Sequence, residues 1–239
     1  MPRHFGVLIP STNTTVEIEY TRLLPPSLQA HYARLGKAGN TQFSPSQDAD
    51  LAYQSKMLGN AKVEVVALTQ TSASMFADDY DAKAKRYMAD GAGAPAVTSA
   101  EAIGEAVCAL GARRIALISP YSEAVINRTK QYYETRYGLE VVATDAFGAT
   151  DSYAIGSLTA DTATDAFTRV DRPEVEVVVL PGGNFPTMRF IAEWEQQLGK
   201  PVITTNQAVI WAVMAAMGVR YSLTGLGRLL KELPAKRIS

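Results

Sequence analysis

The sequence predicts an α/β fold built on parallel sheets, and three observations carry that reading. Short apolar runs recur along the chain, the segments between them repeat apolar residues at helical spacing, and the runs are nearly continuous in apolar residues instead of alternating. Parallel strands joined by crossover helices are covered on both faces, so they lose the in-out alternation of a half-exposed strand. FGVLIP at 5–10 is the first run, with a weaker strand candidate, AHYARL, at 30–35. VEVVALT at 63–69 is the next, and Ile103, Val107 and Leu110 then mark a helix face. RIALIS at 114–119, EVVAT at 140–144 and EVVVL at 176–180 continue the strands. Phe190, Ile191, Trp194 and Leu198 give another helix face before the last strand, PVITT at 201–205. The pattern divides near residues 111–113 into two comparable sets. The expected division is residues 1–112 with about 206–239 in an N-terminal lobe, and 113–205 in a C-terminal lobe.

Composition narrows the function classes. The chain has 239 residues, 47% hydrophobic and 20% charged, with a net charge of −1, which gives no electrostatic footprint for nucleic acid or acidic membranes. Nothing at its start combines a basic region with a long apolar stretch, and no run of about 18 apolar residues exists, so a cytoplasmic protein is expected. A single cysteine, Cys108, excludes an internal disulfide, and His4 and His31 have no ligand spacing, so no metal is expected. A small-molecule enzyme is the default reading, with a homo-oligomer left open.

In an open parallel sheet, ligands bind beyond the carboxyl ends of the strands. Four of those loops are unusually polar: PSTNTT at 10–15, QTSAS at 70–74, SPYSEA at 119–124 and PGGNFPT at 181–187. They offer hydroxyls, amides and backbone N–H groups at helix starts, which suit an anion such as a carboxylate. Gly182 and Gly183 would let the backbone approach a ligand, and Pro186 suits a first helical turn. Against this stands the plain alternative that Ser, Thr and Asn after strands only cap helices. Cys108 reads as a small packing residue, and Trp194, Trp211, Tyr132, Tyr133 and Phe190 as core. Asp78, Asp79 and Asp81 read as a solvated helix start, from which a carboxylate could reach the cleft edge; Asp151 stands within ATDSYAIG.

The segments GVLIPSTNTTVEIE, QTSAS, PGGNFPT and VITTNQAVIWAV together resemble the maleate cis-trans isomerases and arylmalonate decarboxylases of the aspartate/glutamate racemase superfamily. The most specific element is the Pro-Ser-Thr-Asn-Thr-Thr loop with Glu17 and Glu19 after it, supported by Asn206-Gln207. The resemblance implies two Rossmann-like lobes with the active site in the cleft between them and no cofactor. It aligns Asn13 with an asparagine that binds a substrate carboxylate, Thr71, Ser72 and Tyr121 with the hydroxyls of a dioxyanion hole, and Asp151 with a polar loop that lies over the substrate in the isomerases. It also aligns the family's two catalytic cysteines with Gln70 and Gly182, neither of which is cysteine.

That departure selects the expected chemistry. Thiol-based racemisation or isomerisation would not survive unchanged. Decarboxylation needs only one carboxylate held in an apolar pocket while donors stabilise charge on the other, followed by protonation. The expected activity is therefore a cofactor-independent, decarboxylase-like lyase acting on a small mono- or dicarboxylate. Thr71, Ser72, Tyr121 and Gln70 are the expected catalytic residues, with Tyr121 or water supplying the proton. Pro10, Asn13, Gly182, Gly183, Asn184 and Asn206 are the expected substrate-binding residues. The rivals are a cysteine-independent isomerase and a carboxylate-binding protein without turnover.

Overall fold

The structure, a computed structural model, describes residues 1–37, 44–149 and 151–235. The first half runs β1 (Arg3–Pro10), α1 (Val16–Leu23), β2 (Leu28–Leu35), α2 (Asp48–Asn60), β3 (Val66–Leu68), a 3₁₀ turn (Thr71–Met75), α3 (Tyr80–Ala92), β4 (Ala96–Thr98) and α4 (Ser99–Ala109). The second runs β5 (Arg114–Ser119), α5 (Glu123–Tyr137), β6 (Glu140–Ala146), α6 (Ser152–Ile155), α7 (Ala160–Val170) and β7 (Val177–Leu180). A 3₁₀ turn (Met188–Phe190), α8 (Ile191–Leu198), β8 (Val202–Thr204), α9 (Thr205–Ala216) and α10 (Arg228–Glu232) complete it. Thr150 of the ATDSYAIG segment and residues 236–239 of the expected N-terminal lobe lie outside the described residues.

Two four-stranded sheets result, with orders β2-β1-β3-β4 and β6-β5-β7-β8, and every pairing within them is parallel. The second order repeats the first, strand for strand. These are two Rossmann-like lobes of the aspartate/glutamate racemase-like type. The inner strands are apolar along their central residues because helices cover both faces: Val7, Leu8 and Ile9 of β1, and Val178 and Val179 of β7, are all fully buried. β4 has no counterpart in the sequence reading. It is three residues long, too short for a periodic signal, and exists because Ala96, Val97 and Thr98 pair with Val66, Ala67 and Leu68.

α9 is the central helix. Every residue from Thr205 to Met214 is buried, as its nearly unbroken apolar sequence demands. It follows β8 of the second sheet yet packs against α4, which follows β4 of the first. Trp211 anchors its far end, donating from Nε1 to the Pro234 carbonyl at 3.1 Å. Trp194 is buried between Phe167 and Phe190, a core residue as expected. Asp81, read as part of a solvated helix start, is instead fully buried: its carboxylate accepts from Ser74 Oγ and from Tyr132 Oη of α5, both at 2.7 Å. It ties the first half of the chain to the second, and a hydropathy reading has no means of seeing a partner 51 residues away.

Candidate active site

In each sheet the direction of strand progression reverses beside its first strand, between β1 and β3 and between β5 and β7. Crevices open at such points beyond the carboxyl ends of the strands. The two crevices meet. Pro10, Ser11 and Asn13 after β1, Thr69 to Ser72 after β3, Tyr121 after β5, and Gly183 and Asn184 after β7 line one cavity of about 50 Å³, with Leu35, Lys37, Ser44, Ser46, Ser152 and Ile155 closing it.

Of the ten residues expected to form the site, Pro10, Asn13, Gln70, Thr71, Ser72, Tyr121, Gly183 and Asn184 are on its wall; Gly182 and Asn206 are not. Gly182 has φ +132°, and a Cβ there would sit 2.8 Å from Pro120 Cγ, so a side chain at this position would crowd Pro120. Its N–H is also taken, donating to Thr205 Oγ1 at 2.8 Å. A Cβ on Gly183 would approach the Thr69 carbonyl at 3.1 Å and Asn206 Oδ1 at 3.2 Å, so this glycine permits close approach of protein segments. Pro186 precedes a 3₁₀ turn, and the α-helix starts only at Ile191.

Several polar side chains on the wall spend their groups on the protein. Gln70 accepts at Oε1 from Ser46 N (3.3 Å) and Ser46 Oγ (3.1 Å) and donates from Nε2 to the Ser44 carbonyl at 3.2 Å. It fastens the segment at 44–46 over the cavity instead of reaching inward as a donor. Asn184 accepts from Thr14 N (2.7 Å) and donates to the Ser152 carbonyl (2.7 Å), while its own carbonyl accepts from Thr15 Oγ1 at 2.6 Å. It clamps the first loop to the second lobe. Asp151 is a helix cap, accepting from Ala154 N at 2.7 Å. Asn206 donates from Nδ2 to Glu19 Oε2 (2.7 Å) and to the Gly183 carbonyl (3.1 Å), so it supports the wall from behind.

What remains faces the cavity. Asn13 Oδ1 caps α1, accepting from Thr15 N and Val16 N at 3.0 Å, and its Nδ2 has no partner among the described residues. Arg34 steadies this loop, donating to the carbonyls of Ser11 and Asn13 while pairing with Glu17. The first hydrogen bond of the 3₁₀ turn runs from Ala73 N to the Gln70 carbonyl, so the N–H groups of Thr71 and Ser72 precede it, as at any helix start. Thr71 Oγ1 lies 2.9 Å from Ser99 Oγ and 3.2 Å from Thr205 Oγ1, a buried hydroxyl cluster joining the turn to the starts of α4 and α9. Ser72 hydrogen-bonds the Tyr121 hydroxyl. Burial pushes that phenol well above its ordinary range, and the Ser72 bond draws it partway back, so Tyr121 stays protonated.

Lys37, Ser44, Ser46, Ser152, Ile155 and Thr205 escaped the sequence reading. Lys37 was findable: it follows the weaker predicted strand just as the four polar loops follow the stronger ones. It is the one cationic side chain on the described wall, with no ion pair among the described residues. Cys108 lies in α4, partly buried against the core and off the cavity wall. Among the described residues no group of three or more His, Cys, Asp or Glu could hold a metal ion.

The chain matches the arylmalonate decarboxylase family model over residues 5–230. It is 30% identical to the arylmalonate decarboxylase of Bordetella bronchiseptica over 172 residues, covering 70% of this chain and 71% of that protein. It is 28% identical to the maleate isomerase of Pseudomonas putida over 240 residues, covering 94% and 96%. The Nocardia farcinica maleate cis-trans isomerase, in a mutant holding a covalently bound succinylcysteine intermediate, has the same fold, with a TM-score of 0.87 at 24% identity over 97% of this chain and 99% of the other. The length of the family match, together with parallel sheets whose switch-point loops meet in one cavity, establishes that this chain belongs to the arylmalonate decarboxylase family.

Proposed function

We propose that this protein, an enzyme of the lyase or isomerase type, is a decarboxylase-like lyase that breaks a carbon–carbon bond in a small dicarboxylate bound in the cavity. The observation that carries the choice is the wall itself: it is lined by hydroxyls, amides and helix-start N–H groups, while the chain's single cysteine sits in α4. One substrate carboxylate lies against the Thr71 and Ser72 N–H groups and the Ser72 and Tyr121 hydroxyls. The other leaves as carbon dioxide. Its bonding electron pair passes into an enediolate on the retained carboxylate, where those donors stabilise the growing charge. Tyr121, held protonated by burial, then delivers a proton to carbon and is reprotonated from solvent. Asn13 Nδ2 and, at the mouth, Lys37 bind carboxylate oxygens and orient the diacid. Ile155 and Leu35 supply apolar surface beside the departing group.

The test is turnover of malonates, arylmalonates, maleate and succinate by the wild type and by Ser72→Ala. Carbon dioxide release from a malonate, reduced roughly 10²-fold in Ser72→Ala, is the expected result. Conversion of maleate to fumarate by the wild type would replace this reading with an isomerase that works without a thiol on the wall.

A further inference from the structure

Glu19 takes no part in the chemistry just described, yet its placement is unusual. It is buried in α1, where an unpaired carboxylate is costly, and its partners come from the far end of the chain. Oε1 accepts from Thr187 N at 2.7 Å and Met188 N at 2.8 Å, and Oε2 accepts from Asn206 Nδ2 at 2.7 Å. The same Nδ2 donates to the carbonyl of Gly183, which is on the cavity wall. Asn206 Oδ1, in contrast, is buried with no donor among the described residues.

That unpaired oxygen is informative. An amide can turn over, and Asn206 would gain nothing from its present orientation unless both groups facing its nitrogen were acceptors. The Gly183 carbonyl is always one. Glu19 Oε2 is one only while it carries no proton. Once Oε2 is protonated it becomes a donor, and the Asn206 nitrogen then meets a hydrogen. If the amide turns to relieve this, Oδ1 faces the Gly183 carbonyl and repels it. In either arrangement the bond that holds Gly183 is lost or weakened.

We propose that Glu19 is a positioning residue, whose ionised carboxylate fixes the Gly183 segment of the cavity wall through Asn206. The inference rests on the reading of the cavity as the active site. Burial pushes the carboxyl of Glu19 from 4.5 up to about 7, against the opposing pull of its three hydrogen bonds and of Arg189, so the switch falls within the neutral range. The other ionisable groups around it are Arg22, which lines a surface groove together with Glu19 and Arg189, and Tyr20, whose hydroxyl donates to the Asn206 backbone carbonyl at 3.0 Å. Glu17 is turned away onto Arg34.

Glu19→Gln mimics the protonated form in shape and donor pattern. NMR of the full chain between pH 5.5 and 8.5 should show the Asn206 side-chain amide and the Gly183 backbone amide titrating together near pH 7 in the wild type, and no such titration in Glu19→Gln. Calorimetry with maleate as the probe at pH 8 should give at least tenfold weaker binding for Glu19→Gln than for wild type, with an unfolding midpoint no lower. A Gly183 resonance that does not titrate in the wild type, or that titrates equally in the variant, overturns the proposal. So does wild-type maleate affinity in a folded Glu19→Gln protein. If Glu19→Gln does not fold, the wild-type titration alone decides. Ser72→Ala separates the two readings: if it keeps wild-type turnover of a malonate, the active-site reading fails and this inference with it; if Ser72→Ala loses turnover while Glu19→Gln binds maleate as wild type does, Glu19 is a brace alone.

Discussion

Lys37 and Ser72 show how differently two polar residues on one wall can act. Ser72 is buried and hydrogen-bonded to Tyr121, so its donor is preorganised and its loss should fall on turnover. Lys37 is at the exposed mouth, where water and salt screen its charge. Lys37→Gln should therefore raise KM for a diacid about tenfold, near 1.4 kcal/mol, with kcat nearly unchanged and the difference shrinking as salt rises. Equal KM values for both proteins across a salt series would remove Lys37 from substrate binding. Cys108→Ser is expected to leave turnover within about twofold of wild type, since Cys108 is off the wall. Stoichiometric loss of activity on alkylating Cys108 would contradict that.

At the scale of elements, the start of α9 organises the site. Thr205 Oγ1 accepts the Gly182 N–H and meets Thr71 Oγ1, and Asn206 holds Gly183 and Glu19, so two adjacent residues set two loops and α1. The backbone conformation at Gly182 is one that L side chains rarely adopt, and the hydrogen bond from its N–H stabilises it. Thr205→Ala leaves that buried N–H unsatisfied and should cost about 1–3 kcal/mol, seen as a lower urea midpoint with an unchanged slope; Thr205→Ser should recover most of it. An unchanged midpoint in Thr205→Ala would mean that water replaces the hydroxyl. The sequence motif VITTNQAVIWAV marked this region without showing which of its residues mattered, because a strand-to-helix junction looks alike whether its threonine caps a helix or receives a loop from elsewhere.

For the whole molecule, the two lobes are joined by buried polar contacts as well as by core. Glu19 to Thr187 and Met188, Thr15 to Asn184, and Asp81 to Tyr132 all cross from the first half of the chain to the second. Glu19 gives this a pH signature. Its carboxyl is raised in the folded protein, so between about 4.5 and about 7 the folded state holds a proton that the unfolded state has released. Its contribution to stability is therefore greatest at low pH and is lost as pH rises through that window, by on the order of 3 kcal/mol. Denaturant unfolding should show the wild type losing stability relative to Glu19→Gln as pH rises from 5 to 8. A stability difference that stays constant over that range would show that Glu19 does not carry the proton.

The sequence by itself determined the alternation of strands and helices, the parallel sheets and the four polar loops that reach one cavity, because each is written in local periodicity and in the residues that follow a strand. PSTNTT and QTSAS also carried enough of the family's pattern to place the chain within it. Only the tertiary structure decided which polar side chains face the cavity and which hold it together. Gln70, Asn184 and Asn206 have the same donors and acceptors as Asn13, and nothing local distinguishes them. Their partners lie at Ser46, Thr14 and Glu19, at separations of 24, 170 and 187 residues. A hydrogen bond of that range leaves no periodic trace, since it depends on where two distant segments meet. The same reason hid Asp81, whose charge reads as solvated until α5 covers it, and Gly182, whose missing side chain makes room for Pro120.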